Sequence, residues 1–440
     1  MIAARRSIVA LLVPSLVLTA AACDRGKIEE QRVAPPPSAP PAGSAGGQSG
    51  IVWSSGLNGN GQLGRKAADL DPSLAPVTGP DGKTPLGGVV AIAGGGRHSI
   101  AVLSDGNVVA WGANDRGQLG NGTTRDSAVP VPVRAPAGEP GRLGQVVAIS
   151  ANSDFSMALR RDGTVVAWGE GGSGQRGDGR MKTTPLPNLV RTPDARRPLT
   201  GITAIAADGR TELALRRDGR VFAWGANKFG MVGDGTVKTR PLPVPVRGQG
   251  GTAPLGGVAR IAIGGQHGLA LLRDGRVLAW GRNEKGQLGD GSGTDRRLPG
   301  PVKGVRGAGR LSGVIAISAA EKHNYALRKD GTAVAWGNNT AGQLGDGTLT
   351  QRGVPVVMVS GHGPTLRGVQ QVHAGEAYGA AILSDGTPMT WGAGGRGQLG
   401  SGNRVARSRP GPLVMTHGAT PEKVLTAAVG ERHLLLLMRP

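Results

Sequence analysis

Seven tryptophans punctuate this 440-residue chain at nearly equal intervals: Trp53, Trp111, Trp168, Trp224, Trp280, Trp336 and Trp391. Successive spacings are 58, 57, 56, 56, 56 and 55 residues, and no tryptophan lies outside the series. A period of that length marks copies of one supersecondary unit rather than two or three unrelated domains. All seven are read as sharing one register.

The text around the tryptophans repeats with them. One copy runs Ile92 to His98, Ile100 to Leu103, Asp105-Gly106, Val108 to Gly112 and Gly117-Gln118-Leu119-Gly120. It reads as an apolar strand, a second apolar strand, a tight turn, a third strand, a Gly-rich loop and a Pro- and Val-rich edge strand at Val129 to Val133. Asp-Gly between apolar runs is a strong hairpin signal, because both turn residues must tolerate positive φ. It occurs at Asp105, Asp162, Asp218, Asp274, Asp330 and Asp385. The 78 glycines sit at fixed offsets inside this unit and show no three-residue period, so they read as turn positions and not as a collagen-like array.

The seventh copy is split. Gly430 to Met438 supplies the first half of a repeat, and Ile51 to Gly64 supplies the second half at the other end of the domain. An open solenoid gains nothing from such a permutation, whereas a ring closes by it. The expected fold is all-β: a seven-bladed β-propeller of about 56-residue repeats over residues 51–440, closed by N- and C-terminal strands sharing one blade.

The stretch Ala335-Trp336-Gly337-Asn338-Asn339-Thr340-Ala341-Gly342-Gln343-Leu344-Gly345-Asp346-Gly347 resembles the repeat of the regulator of chromosome condensation family. The copies diverge at Arg176 and at Met231-Val232. The resemblance runs from about Ile51 to Pro440. The family's best-known activity is nucleotide exchange on a small nuclear GTPase, but no inserted wedge interrupts these repeats. A bacterial relative inhibits β-lactamases with one propeller face, so the resemblance implies a protein-binding disc. Fold alone does not set function.

The N-terminus reads as a bacterial-type export signal over residues 1–22. Arg5 and Arg6 precede an apolar stretch from Ile8 to Leu18, and Ala20, Ala21 and Ala22 lead to Cys23. Cys23 is the only cysteine and stands where a lipoprotein signal places its acylated residue, although Ala20 replaces the usual Leu, Val or Ile. Ordinary cleavage leaving a soluble periplasmic or secreted protein is the alternative. Residues 23–50 are rich in Pro, Gly and Ser and read as a tether that holds the propeller off a surface.

Net charge is +21, which bears on partners and not on fold. The loops after the Gly-rich turns carry cations in every blade. Arg125, Lys182, Lys238, Arg240, Arg296, Arg297, Arg352, Arg404 and Arg407 are the candidate partner-binding residues, forming a basic rim on one face. A second set, with Arg160, Arg161, Arg216, Arg217, Arg273, Arg328 and Lys329 beside the Asp-Gly turns, is expected on the opposite face. His98, His267, His323 and His433 share one repeat position with Phe155, Thr211 and Tyr378, and are expected to hydrogen-bond backbone between blades instead of binding metal. Asp178, Asp234, Asp290 and Asp346 recur as turn residues.

No nucleophile elbow, metal-binding histidine pair or phosphate loop is present in the sequence. The expected function is a non-enzymatic protein-interaction platform of the cell envelope. It is read as a monomer with no cofactor and no nucleic-acid partner, held at the membrane by an N-terminal lipid and binding an unidentified protein, an acidic one where the rim engages it. Electrostatic binding to an anionic polymer or lipid headgroup is the second reading. A nucleotide-exchange factor or a channel-sited enzyme comes last.

Overall fold

The computed structural model describes residues 49–361, 363–415 and 423–440. Cys23, His362, His417, the export signal and nearly all of the tether lie outside the described residues. Within them, 28 strands form seven four-stranded antiparallel sheets, each one blade of a propeller.

A regular blade shows why the repeat folds as it does. In blade 2 the strands are β3 (Val89–Gly94), β4 (His98–Leu103), β5 (Val108–Gly112) and β6 (Ser127–Pro132), hydrogen-bonded in that order. The turn between β4 and β5 is Asp105-Gly106, with Gly106 at φ 82°, and the Asp105 carboxylate accepts the Asn107 N–H at 2.8 Å. Prolines gather in β6 and its counterparts, the outermost strands, where a missing N–H costs no ladder bond and hinders pairing with another chain.

Ring closure follows the split repeat. β1 (Ile51–Leu57) pairs with β28 (His433–Met438), from Ile51 opposite Met438 to Gly56 opposite His433. With β2 (Leu70–Pro76) and β27 (Val424–Val429) they make blade 1, in the order β2-β1-β28-β27. The remaining blades follow in chain order as blades 3 to 7.

The tryptophans clamp neighbouring blades. Each indole N–H donates to a carbonyl in the Gly-rich loop of the preceding blade: Trp111 to Gln62, Trp168 to Gln118, Trp224 to Gln175, Trp280 to Met231, Trp336 to Gln287 and Trp391 to Gln343, at 2.7–3.0 Å. The loop must be glycine where the ring lies on it. A Cβ on Gly64, at φ 65°, would stand 2.7 Å from Trp111 Nε1.

Trp53 does not share this register. Gly56 opposes His433 as Gly112 opposes His98, so the counterpart of Trp111 in blade 1 is Ser55. Trp53 lies two residues earlier. A two-residue shift keeps a side chain on the same face of a strand, which is why the spacing looked regular. Trp53 is half-buried at the seam between blades 7 and 1, and Ser55 is buried with its hydroxyl unpartnered.

Because strands alternate in direction, the loops joining first to second and third to fourth strands emerge on one face, the loop face. The Asp-Gly turns and interblade connectors share the other, the turn face. Backbone bonds join these last two, as from Arg161 N–H to Gln145 O at 2.8 Å.

Candidate interaction face

The loop face surrounds a funnel of about 690 Å³ lined by all seven blades. Its lining includes six carboxylates: Asp154, Glu170, Asp208, Glu321, Glu376 and Glu431. Burial pushes the Asp208 carboxyl up to about 8, and the charges of Glu431, Glu321 and Glu376 add to the effect. Burial, then Glu431, raises Glu376 as well. Two cations, Arg210 and Lys228, also line the funnel, with Arg210 3.4 Å from Glu170, and others answer from its margin. Arg97 reaches Asp154 at 3.3 Å, Lys322 reaches Glu321 at 3.2 Å and Arg432 stands 3.8 Å from Glu376.

An acidic funnel in a chain of net charge +21 was not among the sequence expectations. A signal for it existed: Glu321, Glu376 and Glu431 each stand two residues before the buried position held by His323, Tyr378 and His433. Three consecutive blades, 6, 7 and 1, therefore send a carboxylate to the same height.

Around the funnel, the nine predicted rim residues divide in two. Arg240, Arg296 and Arg352 open the outer strands of blades 4, 5 and 6 and pair with the turn carboxylates of their own blades, Asp234 at 2.6 Å, Asp290 at 2.5 Å and Asp346 at 2.9 Å. Those carboxylates also accept the N–H two residues on, as Asp346 does from Thr348 at 3.0 Å. The arginines are thereby tied to loop geometry. Blade 7 has Ser401 in place of the aspartate, and Arg407 donates instead to Pro412 O at 2.8 Å.

Arg125, Lys182, Lys238, Arg297 and Arg404 are exposed and make no ion pair among the described residues. Apolar side chains stand with them. Met181, Val237 and Leu349 occupy one repeat position at the loop tips and are 58%, 44% and 63% exposed, and Val405 sits one residue later at 64%. Scattered surface apolar groups need no explanation, but four of the six exposed large ones among the described residues share this rim. Cation, apolar tip and recessed carboxylate together suit a protein surface better than a uniform polyanion.

The histidines are buried, and the partners of their Nε2 atoms are side chains where backbone was expected. His98 Nε2 lies 2.8 Å from Ser156 Oγ, His433 Nε2 lies 2.9 Å from Ser99 Oγ and His267 Nε2 lies 2.6 Å from Asn324 Oδ1, each across a blade boundary. A small polar residue in the next blade's second strand takes the Nε2 contact, and His98 keeps a backbone bond to Ser153 besides. His323 bonds Tyr325 in its own strand at 3.0 Å. Among the described residues, no three His, Cys, Asp or Glu side chains are grouped to hold a metal ion.

Comparison with known proteins agrees with this geometry. The family model of the RCC1-like domain matches residues 45–360, and that of the regulator of chromosome condensation (RCC1) repeat matches residues 385–437. The chain is similar to the ultraviolet-B receptor UVR8 of Arabidopsis thaliana, 30% identical over 82% of this chain and 77% of that one. It is also similar to the mouse E3 ubiquitin-protein ligase HERC2, 32% identical over 70% of this chain but 6% of that much longer one. Among solved structures, Prp20p of Saccharomyces cerevisiae superposes with a TM-score of 0.71 at 22% identity, covering 89% of this chain and 92% of that one.

Proposed function

This chain belongs to the RCC1-like domain family, and from that premise we propose that it is a non-enzymatic platform that binds a protein partner through the loop face of its propeller. The observation that carries the reading is the rim, where Met181, Val237, Leu349 and Val405 stand exposed beside free cations around a funnel of carboxylates. A partner that fits carries acidic and apolar groups for the rim and a basic side chain for the centre. Relatives support this use of the fold: Prp20p binds Gsp1p and histones.

The platform works outside the cytoplasm. The apolar stretch before Cys23 exports the chain, acylation of Cys23 anchors it in the envelope, and residues 24–50 set its reach.

The test is affinity capture from cross-linked envelope extract by the full chain and two variants of equal charge change. One carries Arg125→Glu, Lys182→Glu, Lys238→Glu and Arg297→Glu on the loop face. The other carries Arg161→Glu, Arg217→Glu, Arg273→Glu and Lys329→Glu on the turn face. A partner held at high salt, lost with the first variant and kept with the second, is the expected result. Loss with both, or with neither, would remove the loop face as the binding surface.

A further inference from the structure

The turn face carries a regular array of cations that the loop-face reading leaves unused. The residue before the Asp-Gly turn is Ser104 in blade 2 and Ser384 in blade 7, but Arg161, Arg217, Arg273 and Lys329 in blades 3 to 6. All four of these cations are exposed. Each is anchored alike, its N–H bonded to a connector carbonyl: Arg161 to Gln145 at 2.8 Å, Arg217 to Gly201 at 3.0 Å, Arg273 to Gly257 at 3.0 Å and Lys329 to Gly313 at 2.9 Å. Repeat-equivalent positions with identical anchoring stand at one height above the disc.

The carboxylates beside them are engaged elsewhere. Asp218 holds Arg216 and Arg220, Asp274 holds Arg276, Asp330 holds Arg328, and Asp162 accepts the N–H and hydroxyl of Thr164. The four cations consequently make no ion pair among the described residues. Connectors on the same face add Arg196 and Arg197 after blade 3 and Arg306 and Arg310 after blade 5, again exposed and without an ion pair among the described residues. Nearby acids offset them only in part: Asp194, which accepts the Thr192 hydroxyl and the Arg196 N–H, also attracts Arg197, and Glu139 pairs with Arg160.

We infer that this arc, the turn face of blades 3 to 6, is a docking surface for an anionic lipid bilayer. Charges at equal height across four consecutive blades can all meet a plane at once. A curved or narrow partner reaches only some of them. The arc offers nothing for bases or sugar rings to stack on, since Phe222 is buried beneath Arg216 and the tryptophans of these blades are fully buried. Arginine forks suit phosphate oxygens, and juxtamembrane cations gain from a negative surface potential within a Debye length. With Ser104 and Ser384 flanking the arc, the disc rests on one side, and the loop face is left turned toward solution.

Vesicle sedimentation tests this with the full chain. The readout is the increment in binding when phosphatidylglycerol is added to phosphatidylcholine vesicles, which excludes any contribution of the apolar N-terminus to neutral lipid. Each cation near such a surface is worth about fivefold in partition, so Arg161→Glu, Arg217→Glu, Arg273→Glu and Lys329→Glu together should cut the increment at least a hundredfold. The loop-face variant of equal charge, with Arg125→Glu, Lys182→Glu, Lys238→Glu and Arg297→Glu, should keep most of it. Equal loss in both variants, or no increment for the natural chain, would overturn the inference. Soluble polyphosphate that bound as tightly as vesicles with the same arc dependence would overturn it in favour of a polymer.

Discussion

The indole N–H of Trp111 donates to the carbonyl oxygen of Gln62 at 2.9 Å across the boundary between two blades. Six of the seven boundaries carry this bond, and the seam between blades 7 and 1, where Ser55 takes the indole's place, lacks it among the described residues. Trp111→Phe keeps most of the apolar contact but removes one of the two hydrogen bonds on a buried carbonyl that Ser99 Oγ still serves, at a cost of about 0.5–1.5 kcal/mol. Trp53→Phe loses no such bond and should cost well under half as much. Urea unfolding of the two variants checks the contrast, and equal losses would refute it. Native-state hydrogen exchange should find β1 and β28 opening before the middle blades, because the seam has one fewer clamp.

Adjacent arginines give a second test. Arg296 pairs with Asp290 at 2.5 Å, whereas Arg297 points into solvent without an ion pair among the described residues. Arg296→Ala releases a largely buried carboxylate that helps set the loop, so a loss of about 1–2 kcal/mol is expected. Arg297→Ala should stay within about 0.5 kcal/mol of the natural chain and show its effect in partner capture. A reversed order in thermal unfolding would mean that the pair does not hold the loop.

These two arginines also show what the sequence could and could not reveal. Ring closure was legible because register and permutation are properties of the text: Gly430 to Met438 visibly lacks a partner that Ile51 to Gly64 supplies. The cost of Arg296 was not legible, because its aspartate sits six residues away across a turn whose geometry appears only once the chain folds. The funnel was harder still. Glu321 and Glu431 come from blades 6 and 1, and only the closed ring brings their charges together on Asp208. Net charge then misled, since an average over the whole surface hides a recessed patch of opposite sign. The Trp53 offset escaped because strand parity forgives a shift of two.

Acid should unfold this protein steeply. Burial pulls His98 and His323 down to about 3 and His267 and His433 to about 4, below an ordinary 6.5. The unfolded chain therefore takes up protons first, and stability present above pH 6.5 is lost as pH falls toward 4. Each buried ring contributes up to about 3 kcal/mol to that loss. His98→Phe copies the residue that blade 3 carries at this position, Phe155, and removes one titrating group. The plot of unfolding free energy against pH should become shallower between about pH 4 and 6.5 by close to one proton. An unchanged slope would show that His98 is not held neutral.

Glu212 works in the opposite direction. It is fully buried, and its Oε2 has no hydrogen-bond partner. Its counterparts Ser99, Ser156 and Asn324 each donate to the carbonyl of a Gln in the preceding blade's Gly-rich loop: Gln62, Gln118 and Gln287 respectively. Burial, reinforced by Asp208, raises its carboxyl well above the ordinary 4.5, so the folded protein holds it protonated while the unfolded chain ionises. Stability is then complete below about pH 4.5 and declines as pH rises toward the folded value, the reverse of the histidine effect. Glu212→Gln supplies a permanent donor of the same shape. The variant should match the natural protein near pH 4.5 and exceed it by about 1 kcal/mol or more at pH 7 and above. Equal stability at both pH values, in urea titrations at fixed salt, would mean that Glu212 ionises in place and that the position tolerates a buried charge.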